Sequence, residues 1–425
     1  MLQLIAPIGS LLTGVSLLLL GSGLLNTLLA IRGGAAGYDS STMGLIMSGY
    51  FVGFFVGTFI ALPMIRRVGH IRVFALCAAV ASVSVMLHQL IINPWVWVGL
   101  RVLTGISLVI LYTVIESWLN AQTPANQRGK VFAVYMVVNL AALTLAQQLM
   151  RFDSAESYIL FALASMLVTL SLVPVAWTRL TPPEVQTVKR LRIPFLWRIA
   201  PVAVAASLLS GLAMGAFWGM GAVYAGKVGL DDAGIASFMS AGILGGALLQ
   251  YPLGRYSDSS DRRKVIAITC AFAALAALLL IPAGFNSTTL LFAIALYGGL
   301  AFAIYPVAVA HLIDHLDGPD IIAGGSAVLL LHGIGAAIGP ALAGQLMTVT
   351  GPSALPVYFC FMQLLLAGFA IWKINARNED EYEHPAQFVA MVRTTPTALE
   401  MYPDESEAVS EVDDSLSSQA RENAA

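Results

Sequence analysis

Ionisable side chains inside long apolar stretches are the residues of this 425-residue sequence most able to do chemistry. A charged group in hydrocarbon is costly unless it is paired or hydrated, so such groups mark functional sites. In the stretch 95–119, Arg101, Gly105, Leu108 and Tyr112 follow the spacing of one helix face. This face could bind an anionic or hydrogen-bonding solute. Alternatively, Arg101 could extend outward to the membrane surface or pair within the protein.

Glu116 lies near the far end of the same stretch and is a candidate for proton coupling. Burial would raise the proton affinity of its carboxylate, which would allow it to carry a proton. The alternative is a structural ion pair with Arg66, Arg67 or Arg128, which lie in neighbouring connectors. Both interpretations stay open at this point.

Histidines supply further proton-coupling candidates. His311, Asp314 and His315 occupy positions i, i+3 and i+4 at the end of an apolar stretch, so they share a helix face. Histidine titrates near neutral pH and could relay protons with the aspartate, although helix capping would explain the same residues. His332, in the middle of the next stretch, is a fourth candidate beside Glu116, His311 and Asp314. We predict no metal site, because nothing else supports a ligand set.

Aromatic and amide side chains in the apolar stretches could bind a solute. The candidates are Asn26, Trp218 and Tyr305, together with Arg101 and Tyr112. Tyrosine and tryptophan combine a large apolar ring with one polar group, which suits recognition of an organic molecule. Near the ends of a stretch they could instead anchor the helix at the membrane surface.

These residues lie in twelve mostly apolar stretches. Each is long enough to cross a hydrocarbon core of about 30 Å as an α-helix, which satisfies its own backbone hydrogen bonds. Charged residues make up 11% of the sequence, whereas soluble domains have about 25%. We therefore predict an all-α membrane protein with twelve transmembrane helices, the first of which is retained. The predicted spans are 3–31, 41–64, 73–92, 95–119, 131–150, 157–178, 199–225, 233–253, 264–285, 288–312, 321–346 and 354–374.

Small residues recur at four-residue spacing in several spans, as at Gly49, Gly53 and Gly57. Such faces let helix backbones approach closely and gain dispersion contacts in lipid. Close packing of this kind occurs both between helices that slide and between helices that stay fixed. The glycines therefore predict close packing but not whether the helices move.

Basic residues concentrate in alternate connectors. One set, with the chain after the last span, carries sixteen Lys and Arg residues, and the other carries only Arg32, Arg151 and Lys227. Connectors rich in Lys and Arg lie in the cytoplasm. The bias therefore predicts a multi-pass protein with both termini in the cytoplasm.

The chain divides into four predicted regions. The longest polar interruption, 179–198, contains three prolines and separates six spans from six. We predict an N-terminal bundle at 1–178, this cytoplasmic linker, and a C-terminal bundle at 199–375. Residues 376–425 carry twelve acidic and three basic residues and few apolar ones. Burial there cannot offset the entropy of ordering, so we predict a disordered, acidic cytoplasmic tail.

A short charged motif recurs between spans 2 and 3 and between spans 8 and 9. Two sets of six spans with matching connectors indicate an internal duplication. The second copy contains Gly254, Asp258, Arg262 and Arg263, and the first, weaker copy contains Arg67 and Gly69.

Both copies resemble the loop signature Gly-x-x-x-Asp-Arg-x-Gly-Arg-Arg/Lys of the major facilitator superfamily (MFS). The phrases Glu116–Asn120, Gly211–Tyr224, Gly245–Gln250 and Ala310–His315 are similar to those of the YcaD-like bacterial permeases. The resemblance implies the MFS fold, in which two pseudo-symmetric six-helix bundles rock about one central site. It also implies that the motif residues form a gate and that the protein lies in a bacterial inner membrane.

No phosphate-binding loop, zinc-protease motif or nucleophile elbow is present, so we do not expect an enzyme. The leading hypothesis is a secondary active transporter that moves a small organic solute by alternating access. It would need no cofactor, only an ion gradient, with H⁺ as the expected ion. We expect a monomer in the lipid bilayer and no nucleic-acid partner, because the basic residues are dispersed. The second hypothesis is a non-transporting membrane sensor or scaffold that signals through its acidic tail.

Overall fold

A computed structural model of the protein describes residues 2–124, 127–177, 192–281, 286–316, 318–376, 388–391 and 395. The described chain consists mainly of long α-helices. In chain order these are α1 (Leu2–Ala35), α2 (Ser40–Val68), α3 (His70–Leu90), α4 (Pro94–Gln122), α5 (Arg128–Gln148), α6 (Tyr158–Leu170), α7 (Leu172–Trp177), α8 (Ile193–Ile199), α9 (Pro201–Lys227), α10 (Asp232–Asp258), α11 (Arg262–Leu278), α12 (Ser287–Ile313), α13 (Gly318–Thr350) and α14 (Ala354–Ala376).

Eleven segments among these residues are long and apolar enough to cross a membrane. They correspond to eleven of the twelve predicted spans, and α6 and α7 together form the sixth, Tyr158–Trp177. The remaining predicted span, 264–285, corresponds to α11, which has 17 residues. A helix of that length extends about 25 Å, which is at the lower limit for crossing the hydrocarbon core. The prediction of an all-α membrane fold is confirmed.

Short polar side chains in the connectors fix where many helices begin. A capping side chain satisfies backbone N–H groups of the first turn, which have no partner within the helix. Proline occupies the first turn of α4, α8 and α9, where its missing N–H costs nothing. The capping residues are Asp39, Asn93, Ser157, Asp231, Asp261 and Asn286.

The helices form two bundles, α1 to α7 and α8 to α14. They meet where α1, α2 and α5 pack against α9, α13 and α10. Glycines permit the closest approaches: a Cβ added to Gly53 on α2 would lie 2.1 Å from the carbonyl oxygen of Val102 on α4. A Cβ on Gly44 would lie 2.5 Å from the carbonyl oxygen of Pro340 on α13, in the other bundle. The predicted close packing through small residues is therefore confirmed.

The two ends of the bundles differ. We name the end at which α1 begins and α14 ends the terminal face, and the other end the opposite face. Near the opposite face the Ser41 hydroxyl donates to Gln345 Oε1 at 2.7 Å, which links α2 to α13. Arg151 Nη2 donates to Ser237 Oγ at 2.7 Å, which links the chain after α5 to α10. The bundles are therefore joined directly at the opposite face.

Parts of two predicted regions lie outside the described residues. Of the predicted linker, 179–198, the structure describes Arg192 and most of α8. Of the predicted disordered tail, 376–425, it describes Ala376, residues 388–391 and Thr395. Residues 388–391 and Thr395 differ from the expectation of a solvated extension, because they contact both bundles. The domain boundaries and the disorder of the rest of the tail stay predictions.

Candidate functional site

A cavity of about 120 Å³, which is partly open to solvent, lies between the two bundles. Its walls come from α2 of the first bundle and from α9, α12 and α13 of the second. Aromatic side chains dominate: Tyr50, Phe54 and Phe55 on α2 face Trp218 on α9 and Phe302 on α12. A concave site with apolar walls and few polar groups is typical of a pocket for a small organic ligand.

The polar groups of the cavity come mainly from three side chains. The hydroxyl oxygens of Tyr50 and Tyr305 are buried and have no hydrogen-bond partner among the described residues. The ring centre of His332 lies 4.3 Å from that of Tyr305, and its Nδ1 lies 3.2 Å from the Ser210 hydroxyl. Both phenol oxygens lie beneath the accessible surface, so a ligand could bond to them only after a movement of the ring, and that bond would satisfy a buried polar atom.

Trp218 is held in the cavity wall by other aromatic rings. Its ring packs edge to face against Phe217 at 5.3 Å and Phe302 at 5.7 Å between ring centres. Such pairs fix the orientation of a large side chain. Trp218 and Tyr305, two of the five predicted solute-binding residues, therefore lie in the lining of the cavity.

The other three predicted solute-binding residues, Asn26, Arg101 and Tyr112, are buried outside this lining. Arg101 Nη2 donates to Asn26 Oδ1 at 2.7 Å, and Asn26 Nδ2 donates to the carbonyl oxygen of Trp218 at 2.6 Å. The Arg101 guanidinium also lies 4.6 Å from the ring centre of Tyr50. This chain of hydrogen bonds runs from α4 through α1 to α9, so it joins the two bundles behind the cavity wall. Direct solute contact by these residues stays a prediction.

The second copy of the loop motif forms an ion-pair network at the terminal face. Arg262 is 3% exposed; its Nε lies 2.6 Å from Asp314 Oδ2 and its Nη1 3.2 Å from Asp258 Oδ1. Arg263 Nε lies 3.1 Å from Asp261 Oδ1. Burial of Asp261 opposes ionisation, but hydrogen bonds and charge from Arg263 outweigh burial and hold the pKa of Asp261 below its usual value. Asp314, predicted to couple protons, thus lies within the network of the gate motif.

The first copy of the motif is a tight turn between α2 and α3. Gly69 has φ of 90°, and its amide donates to the carbonyl oxygen of Ile65 at 2.8 Å. Residues with a side chain rarely adopt this conformation, which explains the glycine. Arg67, in the last turn of α2, is exposed. Its predicted part in the gate stays a prediction.

Glu116 is completely buried near the terminal face. The Tyr135 hydroxyl donates to Glu116 Oε1 at 3.0 Å, and the backbone amide of Thr395 donates to Oε2 at 3.1 Å. The Thr395 hydroxyl donates to Oε2 as well. The structure thus places a tail residue on Glu116. The ion pairs that the sequence suggested for this carboxylate stay predictions.

The four predicted proton-coupling residues do not form one cluster. His332 lines the cavity, whereas Glu116 contacts the tail and Asp314 pairs with a gate arginine. His311 is 5% exposed at the end of α12, with its ring 4.8 Å from that of His315. Among the described residues, no group of three His, Cys, Asp or Glu side chains could hold a metal ion.

Two groups of cavity residues were not anticipated from the sequence. Tyr50, Phe54 and Thr58 recur every four residues and so share one face of α2. That spacing was a usable signal, but Phe51, Phe55 and Phe59 lie in the same stretch, so aromatic residues are not confined to this face. Met391 lines the cavity from the tail. The available signal was the apolar run Phe388–Met391 within an otherwise acidic segment.

Comparison with known proteins decides the family. The profile of the Major Facilitator Superfamily matches residues 11–316 and 203–397. The chain belongs to this superfamily. It is therefore an integral membrane protein and a membrane transporter, and membership implies a small-molecule substrate and lipid surroundings. The expected two-bundle MFS fold and the resemblance to YcaD are confirmed.

Relatives and solved structures of the superfamily agree with this assignment. The chain is 25% identical over 385 residues to a protein of Salmonella heidelberg named "Uncharacterized MFS-type transporter YcaD", covering 90% of this chain and 98% of that one. The protein of the same name from Escherichia fergusonii is 26% identical over 385 residues. The crystal structure of a D323A mutant of the nucleoside transporter NupG aligns with a TM-score of 0.72 at 14% identity, covering 87% of this chain and 99% of that one. At that identity the likeness shows the fold alone.

Proposed function

We propose that this chain is a secondary active transporter that moves a small, uncharged organic solute by alternating access. The observation that carries the proposal is the aromatic cavity between two bundles that are joined directly at the opposite face. Among the described lining residues none is Asp, Glu, Lys or Arg, which favours an uncharged solute. The phenols of Tyr50 and Tyr305 supply hydrogen bonds and the rings supply a stacking surface. A non-transporting sensor or scaffold is not favoured, because the relatives are named transporters.

Localisation and energy source are parts of the same proposal. The excess of Lys and Arg in the connectors of the terminal face supports cytoplasmic termini in a bacterial inner membrane. A proton gradient is the proposed energy source, and His332 is the proposed proton carrier because its imidazole, which can bind and release a proton, lines the cavity.

Ligand binding is tested first with the purified protein. Uridine and adenosine are suitable probes, since both are uncharged and aromatic and NupG, of similar fold, is a nucleoside transporter. Binding in the cavity should change tryptophan fluorescence, and Trp218→Phe should remove most of that change. Trp372→Phe is the control, because Trp372 is 59% exposed at the end of α14. A fluorescence response that survives Trp218→Phe would argue against this cavity as the binding site. If neither probe binds, comparing metabolites of deletion and overexpressing cells would identify others.

Proton coupling is tested by His332→Asn in membrane vesicles. The variant should lose accumulation driven by a pH gradient but keep exchange of solute across the membrane, because exchange needs no net proton movement. His70→Gln, outside the cavity lining and not among the predicted proton-coupling residues, should keep both activities. Proton coupling would be refuted if the unmodified protein accumulated solute equally with the pH gradient imposed and with it collapsed.

A further inference from the structure

The described part of the tail lies between the two bundles at the terminal face. Residues 388–391 and Thr395, which we name the tail segment, contact α10 of the second bundle and α4 of the first. The bundles contact each other directly at the opposite face, whereas at the terminal face this added segment connects them. Its position raises the question of what it does to the cavity.

Contacts with the second bundle hold the start of the tail segment. The amide of Phe388 donates to Asp258 Oδ1 at 2.9 Å. The Phe388 ring packs on Gly254, where an added Cβ would lie 2.0 Å from a ring carbon. Gln250 Nε2 approaches the carbonyl oxygen of Met391 at 3.4 Å. Two residues of the gate motif, Gly254 and Asp258, therefore hold this segment in addition to any part they play in the loop.

Contacts with the first bundle hold its end. Thr395 is completely buried, and both its amide and its hydroxyl donate to the carboxylate of Glu116. A carboxylate that accepts two hydrogen bonds from one residue forms a strong, directional contact. The segment is thus fixed on both sides of the gap between the bundles.

Met391, between these two anchors, is 5% exposed and lines the same cavity as Tyr50 and Tyr305. We propose that the tail segment is a tethered plug, which occupies the terminal-face end of the cavity and must leave before a solute can pass there. This inference goes beyond transport itself and concerns its control.

The proposal does not require strong binding. The tether joins Phe388 to the end of α14 at Ala376, twelve residues earlier in the sequence. Because the segment belongs to the same chain, its binding is intramolecular, so a few contacts are enough to hold it.

A cysteine reporter in the cavity tests the plug. Ala301 lines the cavity and is 1% exposed, so Ala301→Cys places a thiol behind the proposed plug. The control reporter is Ser259→Cys, which is exposed at the turn after α10. Each reporter is labelled with a cationic methanethiosulfonate reagent in purified protein, in the full chain and in a chain truncated after Arg377. The native cysteines are buried.

We expect truncation to raise the labelling rate of the cavity reporter at least tenfold and to leave the control unchanged. A full-length variant, Gly254→Ala, tests the plug without a large deletion. Its new methyl group displaces the Phe388 ring, so the labelling rate of the cavity reporter should rise as well. Phe388→Ala should give the same rise, and the two changes together should add little. Equal labelling of Ala301→Cys in full-length and truncated chains would overturn the proposal. So would an equal rise at both reporters, which would indicate general loosening.

These measurements need no solute. A negative labelling result would therefore leave the proposed transport untouched, and a failure to find a solute would leave the plug untouched.

Discussion

Asn26 offers the sharpest test of how the opposite face is held closed. Its side chain receives a hydrogen bond from Arg101 and gives one to the Trp218 carbonyl, which lies in the other bundle. Separation of the bundles at this face would break the second bond. Asn26→Ala removes both bonds and should therefore shift the protein toward the form that is open at the opposite face.

The magnitude follows from the two bonds. Loss of the bond between Asn26 and Trp218 removes about 1 kcal/mol from the closed form. Arg101 is 2% exposed in the closed form and would be left with fewer partners there. The loss of a partner raises the free energy of the closed form by about 1–3 kcal/mol more, because water would reach the guanidinium only in the open form. The sum, about 2–4 kcal/mol, corresponds to a shift of roughly 30- to 900-fold in the ratio of open to closed forms.

Distances between spin labels at Ile92→Cys and Thr350→Cys would report this ratio. Both positions are exposed, lie at the opposite face, and belong to different bundles. Thr104→Ala is the matched control: Thr104 is as buried as Arg101, but its hydroxyl donates to the Leu100 carbonyl within α4 and does not join the bundles among the described residues. An unchanged distance distribution in Asn26→Ala would refute the reasoning. So would an equal shift in the control.

Two further predictions concern packing and the gate. Gly105→Ala should lower the melting temperature in detergent, since the new Cβ would lie 2.1 Å from the Tyr50 carbonyl oxygen, and overpacking of this kind costs about 1–3 kcal/mol. Gly99→Ala, on the same helix with open space around it, should not lower it. Asp314→Asn should destabilise the protein by about 0.5–2 kcal/mol, because it replaces a charged hydrogen bond to the buried Arg262, worth about 1.5–3 kcal/mol, by a neutral one worth about 1 kcal/mol. An Asp314→Asn protein that melts at the original temperature would show that the pair contributes no stability.

Eleven of the twelve predicted spans match membrane-crossing segments of the described chain, because lipid imposes a simple rule on composition and length. The rule marks the apolar part of a helix and not its ends. The structure therefore extends the predicted span 95–119 to Pro94–Gln122, where Asn93 caps the start. It also ends α11 at Leu278, before the predicted boundary of the ninth span.

The cavity could be predicted only in part. Residue type identified Trp218 and Tyr305, but it could not give the direction of a side chain that is buried on every side. Arg101 has the chemistry of a binding residue, yet it pairs with Asn26 behind the wall. Tyr50 lines the wall, although its run of aromatic neighbours made it look like ordinary packing. The contacts of the tail could not be predicted from composition either, because its one apolar run is a small part of a strongly acidic segment.

The opposite face is closed by direct contacts between the bundles, whereas the terminal face is occupied by the proposed plug, and this difference gives a final prediction. At the opposite face helix packs directly on helix, so opening must move whole bundles. At the terminal face the proposed plug lies between Glu116 and Gly254, where it would keep the bundles from meeting. In the proposed alternating-access cycle, opening the opposite face requires the terminal face to close, because both movements belong to one rocking motion. The plug should therefore limit the effect of Asn26→Ala, and truncation after Arg377 should enlarge it. If truncation does not alter the effect of Asn26→Ala on the spin-label distances, the tail segment does not hold the bundles apart.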